Sequence, residues 1–171
     1  MTNFKNIIFI ICFLSLSNIS AYASQNVKFA DIDIIVQNSK IGKETLSKIE
    51  NANKFNIEKL SNFQKQLKDK ENEIKIKKNI ISEGEFKKEV ENLKSQLADF
   101  NKKKDLMVKD FSDLKNNELK ALFEKINPII QNYMNENSID ILINSKNIYI
   151  GSVKSDLTEA LINEIDGKFQ N

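Results

Sequence analysis

The stretch Ile80-Ile81-Ser82-Glu83-Gly84-Glu85-Phe86 separates two long helical patterns, and its reading decides the fold. Gly84 is the single glycine between Gly42 and Gly151. Ser82 followed three residues later by Glu85 has the form of a capping box, in which each side chain satisfies a free backbone N–H of the other at a helix start. Beyond it, Phe86, Val90, Leu93, Leu97, Phe100, Met107, Phe111 and Leu114 recur at steps of three and four, with Lys104 filling one stripe position. Such a heptad spacing gives a helix one apolar stripe. After Leu114 the phase slips by four residues, a stutter, and the stripe resumes as Leu119, Leu122, Ile126, Ile129 and Tyr133.

Upstream, a helical pattern runs from Lys43 to about Asn79, with Leu60, Phe63, Leu67, Ile74 and Ile81 on the stripe and Lys70 and Lys77 in two of its positions. Leu46 and Ile49 extend the stripe toward the start, and Asn53 and Asn56 interrupt it. Two amphipathic helices of similar length joined by a short connection fold back as an antiparallel hairpin. At 1.5 Å per residue, the roughly 38 residues of each arm reach about 55–60 Å. Pro128 is expected to kink the second helix, because proline lacks the N–H of the i−4 bond.

Both chain ends read differently. Val27 to Ile34 alternates like a half-buried strand, Ile35 to Ser39 reads as a short helical turn, and Ser39-Lys40-Ile41-Gly42-Lys43 forms a joint into the long helix. Ile139 to Asn144 alternates again, Ser145 to Asn147 turns, and Ile148-Tyr149-Ile150 runs back, a hairpin signal. Asp156-Leu157-Thr158-Glu159 reads as a second capping box, opening a last helix with Leu157, Leu161, Ile162 and Ile165 on one side. The expected fold is mainly α with a small β body. Residues 24–42 and 127–171 form the body, and residues 43–126 form an inserted helical-hairpin arm with its tip near 80–85. Three short strands leave open edges, which oligomerisation would pair.

Residues 1–23 read as a secretory signal. Lys5 precedes an apolar run from Ile7 to Leu16, which is followed by small and polar residues ending in Ala21-Tyr22-Ala23. The run is too short for a membrane span, which takes about 20 residues. Cleavage after Ala23 removes Cys12 and leaves 148 of the 171 residues. The mature chain then has neither Cys nor His, and all 26 basic residues of the full chain are Lys. No disulfide or thiolate metal site is possible, and the commonest general base is missing.

There is no Gly-rich phosphate loop, so neither a nucleotide cofactor nor a metal is expected. Asp31 and Asp33 could be imagined as a catalytic pair, but a turn or capping role fits them better, and no enzyme activity is expected. Residues 40–137 hold 21 Lys against 17 acidic residues, and the body holds 4 Lys against 7. The arm is therefore mildly cationic. Its local clusters are Lys75, Lys77 and Lys78 before the tip, Lys87 and Lys88 after it, and Lys102, Lys103 and Lys104 mid-arm. The plain reading is a solvated helix face; the functional one is attraction to anionic clients or to an anionic membrane surface. A near-neutral chain without Arg lacks the electrostatic footprint of a nucleic-acid binder. Phe55, Ile57, Ile76, Ile80, Leu106 and Val108 fall off the stripe. They either drift into the hairpin interface or the base of the assembly, or face a cavity between arms and hold something apolar.

With this layout the chain resembles the Skp (outer membrane protein H-like) family of periplasmic chaperones. The resemblance rests on Val27 to Asp33 with Ser39-Lys40-Ile41-Gly42-Lys43, on the charged hairpin with Ser82-Glu83 at its tip, and on Ile139 to Ile150 followed by Asp156-Leu157-Thr158. It implies a homotrimer whose strands close a central barrel and whose three arms enclose a cavity. It also implies an ATP-independent holdase for unfolded outer-membrane β-barrel proteins. The alternative is a structural coiled-coil envelope protein or spacer without chaperone activity. Mass spectrometry of the exported protein is expected to find Ser24 at its N-terminus; an intact Met1 start in the envelope fraction would contradict the cleavable signal.

Overall fold

The computed structural model describes residues 25–169. The expected signal segment, with Lys5, Cys12 and the cleavage point after Ala23, lies outside them. The described elements are β1 (Val27–Ala30), α1 (Ile32–Asn38), α2 (Lys40–Lys77), α3 (Glu83–Glu136), β2 (Ile141–Asn144), two 3-10 turns at Ser145–Asn147 and Val153–Ser155, and α4 (Thr158–Lys168). The molecule is mainly helical, with a two-stranded sheet.

The corner between α1 and α2 follows from three residues. Ser39 sits in extended backbone, and its buried hydroxyl accepts from the Gly42 N–H at 3.3 Å. Asp166 of α4 accepts from the Lys40 N–H at 2.7 Å, so a second orphan donor of the helix start is used. A Cβ at Gly42 would stand 1.9 Å from the Val36 carbonyl oxygen. The joint therefore closes only over a hydrogen atom.

From there α2 runs 38 residues, and α3 runs 54, or about 81 Å. The capping box between them is complete: Ser82 Oγ accepts from the Glu85 N–H at 3.3 Å, and Glu85 Oε2 accepts from the Ser82 N–H at 3.1 Å. α3 passes through Pro128 as one helix to Glu136, so the proline makes no break there. Its end is a Schellman motif. The Ile139 N–H donates to the Met134 carbonyl at 2.9 Å and the Ser138 N–H to that of Asn135 at 3.3 Å, with Ser138 at φ 51°. This left-handed residue turns the chain from α3 into β2.

The strands differ from the expectation. β1 ends at Ala30 because Asp31 caps α1, accepting from the Ile34 N–H at 3.0 Å. Ile32 to Asn38 is then a full α-helix rather than more strand and a turn. β2 does not pair with Ile148-Tyr149-Ile150, which form no strand. It pairs in parallel with β1, Val27 opposite Ile141 and Ala30 opposite Asn144. The arm hairpin brings the two strands side by side in the same direction, and Asn26 fixes the register by donating to Asp140 at 2.7 Å and to the Ser138 carbonyl at 2.9 Å. The second capping box is also displaced by one residue. Asp156 accepts from the Thr158 N–H at 2.9 Å and its hydroxyl at 2.6 Å, not from Glu159. Leu157 instead donates to the Phe29 carbonyl at 2.8 Å, which covers the other edge of β1.

One core joins these pieces. Ile35 of α1, Leu122 and Ile126 of α3, and Leu161 and Ile165 of α4 are each at most 1% exposed and lie in one cluster with Ala30 and Ile41. Each buried side chain of this size contributes about 1.5–3 kcal/mol. Two glycine substitutions test the corner geometry. Gly42→Ala should lower the thermal midpoint although alanine is the better helix former by about 1 kcal/mol, because its methyl meets the Val36 carbonyl. Gly84→Ala, with nothing within 4 Å, should raise it slightly. Equal shifts in both would contradict the close approach.

Candidate functional site

The two aspartates considered for catalysis each make contacts that hold the fold. Asp31 Oδ1 accepts from the Ile34 N–H and Oδ2 from the Ser145 hydroxyl at 3.2 Å. Asp33 forms an ion pair with Lys146. Together they fasten the segment after β2 to the start of α1. The Ile34 N–H, helped by the Ser145 hydroxyl, holds the Asp31 carboxyl below its ordinary value. Among the described residues no group of His, Cys, Asp and Glu could hold a metal ion, and no helix is long and apolar enough to cross a membrane.

The arm is two helices thick, so its seam is only half covered. Leu60, Phe63, Leu67, Phe86, Val90, Leu93 and Phe100 are partly buried, and Ile49 and Ile74 fully so. Leu97 and Leu114, expected on the stripe, remain 43% and 38% exposed. A two-helix seam has no third element to cover its shoulders. The heptad therefore directs these leucines correctly but cannot bury them.

The six off-stripe residues are not drawn into the hairpin interface. Their exposures are 63% for Phe55, 59% for Ile57, 71% for Ile76, 76% for Ile80, 59% for Leu106 and 59% for Val108. The structure brings them together in two zones. The Lys48–Glu118 pair at 3.1 Å shows which residues lie level across the hairpin, and by the same register residues 55–57 lie opposite 109–111, within about one turn of 106–108. Successive helical residues differ by about 100°. Ile57 and Val108 thus share one flank, where they line a groove of about 160 Å³ with Leu60, Met107 and Phe111. Phe55 and Leu106 occupy the opposite flank. At this level Asn56 lies in the seam while the apolar chains face outward. The second zone is the tip, about 30 Å further along, where Ile76 and Ile80 stand free.

The lysines divide in the same way. Lys75, Lys77, Lys78, Lys87 and Lys88 surround the tip, and Lys102, Lys103 and Lys104 lie near the mid-arm zone. Lys75 is held by Glu71 at 2.6 Å, and that hydrogen bond lowers the Glu71 carboxyl from its ordinary value. The Lys103 ammonium lies 5.2 Å from the centre of the Phe63 ring. Each zone therefore sets exposed apolar surface beside ammonium groups. The alternation of Ile148-Tyr149-Ile150 concealed one further surface. Tyr149, Ile150 and Val153 are 103%, 85% and 88% exposed, on the body. The missing signal was that β2 finds its partner in β1, leaving these residues without one.

A family model described as outer membrane protein (OmpH-like) matches residues 26–165. The chain belongs to the OmpH-like family. A crystal structure of a Caulobacter crescentus protein, assigned as an OmpH-like outer membrane chaperone, shares the fold with a TM-score of 0.77. The match covers 86% of this chain and 87% of that one at 16% sequence identity. No curated protein matches the chain in sequence.

Two carboxylates of this OmpH-like chain are held in their charged form by the fold. Asp31 is lowered by the Ile34 N–H, and Glu85 by the Ser82 hydroxyl and then the Ser82 N–H. A depressed folded pKa contributes stability above the unfolded value, and this is lost as pH falls through the folded value. Helicity followed by circular dichroism should therefore drop as pH falls below the ordinary carboxylate values of 3.8 and 4.5. Asp31→Asn keeps an acceptor for Ile34 and should make that acid dependence shallower. An unchanged acid limb would show that Asp31 carries none of it.

Proposed function

We propose that this OmpH-like chain is an ATP-independent holdase that keeps unfolded outer-membrane β-barrel proteins from aggregating in the periplasm. Family membership supports a periplasmic chaperone role in general. The observation that carries the finer reading is the exposure of Phe55, Ile57, Ile76, Ile80, Leu106 and Val108 on an arm whose own seam they do not build. Exposed apolar surface set beside polar groups marks an interaction site, and here lysines lie near each zone.

The working form in this proposal is a homotrimer. Within one chain the sheet stays open on the outer edge of β2, and Tyr149, Ile150 and Val153 lie uncovered on the same body. Strands of three subunits closing into a barrel would satisfy both. Three arms would then project from one base around a shared space. No single zone is deep enough to hold a client, but many shallow contacts on three arms act together, and each raises the local concentration of the next. The lysines speed encounter with acidic unfolded chains. Release needs no nucleotide and no covalent step: a client leaves when its own folding buries the side chains the arms were holding. The protein is accordingly read as a binder, not an enzyme.

The test is light scattering from a urea-denatured barrel protein diluted into buffer with the mature chain and no nucleotide, with the mass of the chain measured in parallel. The wild type should suppress aggregation at about one trimer per client. The triple substitution Phe55→Ser, Ile76→Ser, Leu106→Ser should lose most of that suppression while keeping mass and helicity. Unchanged aggregation in the presence of a well-folded oligomer would instead identify a structural coiled-coil spacer.

A further inference from the structure

Midway along the arm an open groove of about 310 Å³ lies between the two helices. Phe63 and Leu67 of α2 and Phe100 of α3 form its apolar lining, and Lys70, Lys103 and Asp99 stand among the residues around it. Its lysines are uncommitted. Asp99 precedes Lys103 by four residues, the spacing of a helical ion pair, yet the Lys103 ammonium rests over the Phe63 ring at 5.2 Å. Among the described residues, neither Lys70 nor Lys103 forms a salt bridge. Gln66 and Gln96 also line the groove, and their amides can both donate to and accept from a peptide backbone.

We propose that this groove is a subsite for an acidic-aromatic segment of an unfolded polypeptide: one bulky ring seated against Phe63 and Phe100, with a carboxylate beside it taken by Lys70 and Lys103. The inference rests on the holdase reading and names the kind of client segment recognised. Ring on ring suits the aromatic lining. The incoming carboxylate gives the Lys103 ammonium a charged partner in place of a ring face. Two ammonium groups against one carboxylate leave the groove cationic, which sets the sign of the preference. The glutamines favour a peptide over a lipid, because an extended backbone supplies the donors and acceptors they match. In an extended segment, residues two apart point to the same side, so the ring and the carboxylate can enter together.

The chain contains no Trp, so the fluorescence of a tryptophan peptide reports binding without background. The mature protein is titrated with a Gly/Ser-based peptide carrying Trp-Ser-Asp and with its Trp-Ser-Lys counterpart. The acidic peptide should bind about fivefold to tenfold more tightly, with the difference shrinking as salt is added. Lys70→Gln with Lys103→Gln should abolish the difference while leaving the circular dichroism spectrum in place. Equal binding of the two peptides, or an undiminished preference in the double variant, would overturn the subsite. So would displacement of the acidic peptide from the wild type by anionic phospholipid vesicles with no matching competition from an unlabelled acidic-aromatic peptide. A wild type that suppresses aggregation but shows no preference sinks this inference alone. A wild type that fails to suppress aggregation sinks the holdase reading as well.

Discussion

Everything in the molecule hangs from one small core at the root of the arm. Ile35, Leu122, Ile126, Leu161 and Ile165 are effectively sealed from water, and they come from three helices that lie far apart in the chain. The arm leaves this cluster along α2 and returns to it along α3. The start of α2 is fixed by the Ser39 hydroxyl and by Asp166 of α4, so the last helix of the chain anchors the first turn of the longest excursion. If the root is lost, the strands have nothing to hold them together, since a two-stranded sheet of four residues per strand is marginal alone.

The arm obeys a different constraint. It is only two helices thick, so no position on it can be sealed on every side. The seam takes the side chains that two helices can cover, and the flanks must face solvent or a partner. The sequence places bulky apolar groups on those flanks and Asn56 in the seam of the same level, the reverse of what the hairpin's own stability favours. Isolated surface ion pairs such as Lys54–Glu50 at 2.6 Å contribute little to stability. The arm is thus held mainly by its root, its half-covered seam and its capped tip, and its flanks are left free for contacts outside the chain.

What could be read in the sequence was whatever local chemistry determines. The Ser82–Glu85 box stands where its motif put it, and the joint read at Ser39 to Lys43 is built from a Ser39 cap and a close approach at Gly42 that depend on neighbours within a few residues. The heptads located the seam, although Leu97 and Leu114 of the stripe stay exposed along with the six apolar residues off it. Strand pairing was not legible. Ile141 pairs with Val27 across the whole arm, and a parallel partner that distant leaves no local sign, whereas Ile148-Tyr149-Ile150 offered a nearby false one. Asp156 misled by one residue because an aspartate can bond the N–H two residues on as readily as three. The mid-arm groove was hidden for another reason: a heptad states which residues face the partner helix, not where the side chains along the seam leave space between them.

The central claim is that the flanks of the arm, and not the body, hold the client. Because residues 24–171 contain no cysteine, single cysteines in that segment can carry an apolar photocrosslinker at chosen places. Ile57→Cys and Leu106→Cys place it on the two flanks, and Asn163→Cys places it on the exposed side of α4. On illumination with a urea-diluted barrel protein, the account predicts covalent client adducts from both arm positions and none above background from Asn163→Cys. Adducts from the body position at equal or greater yield would contradict it.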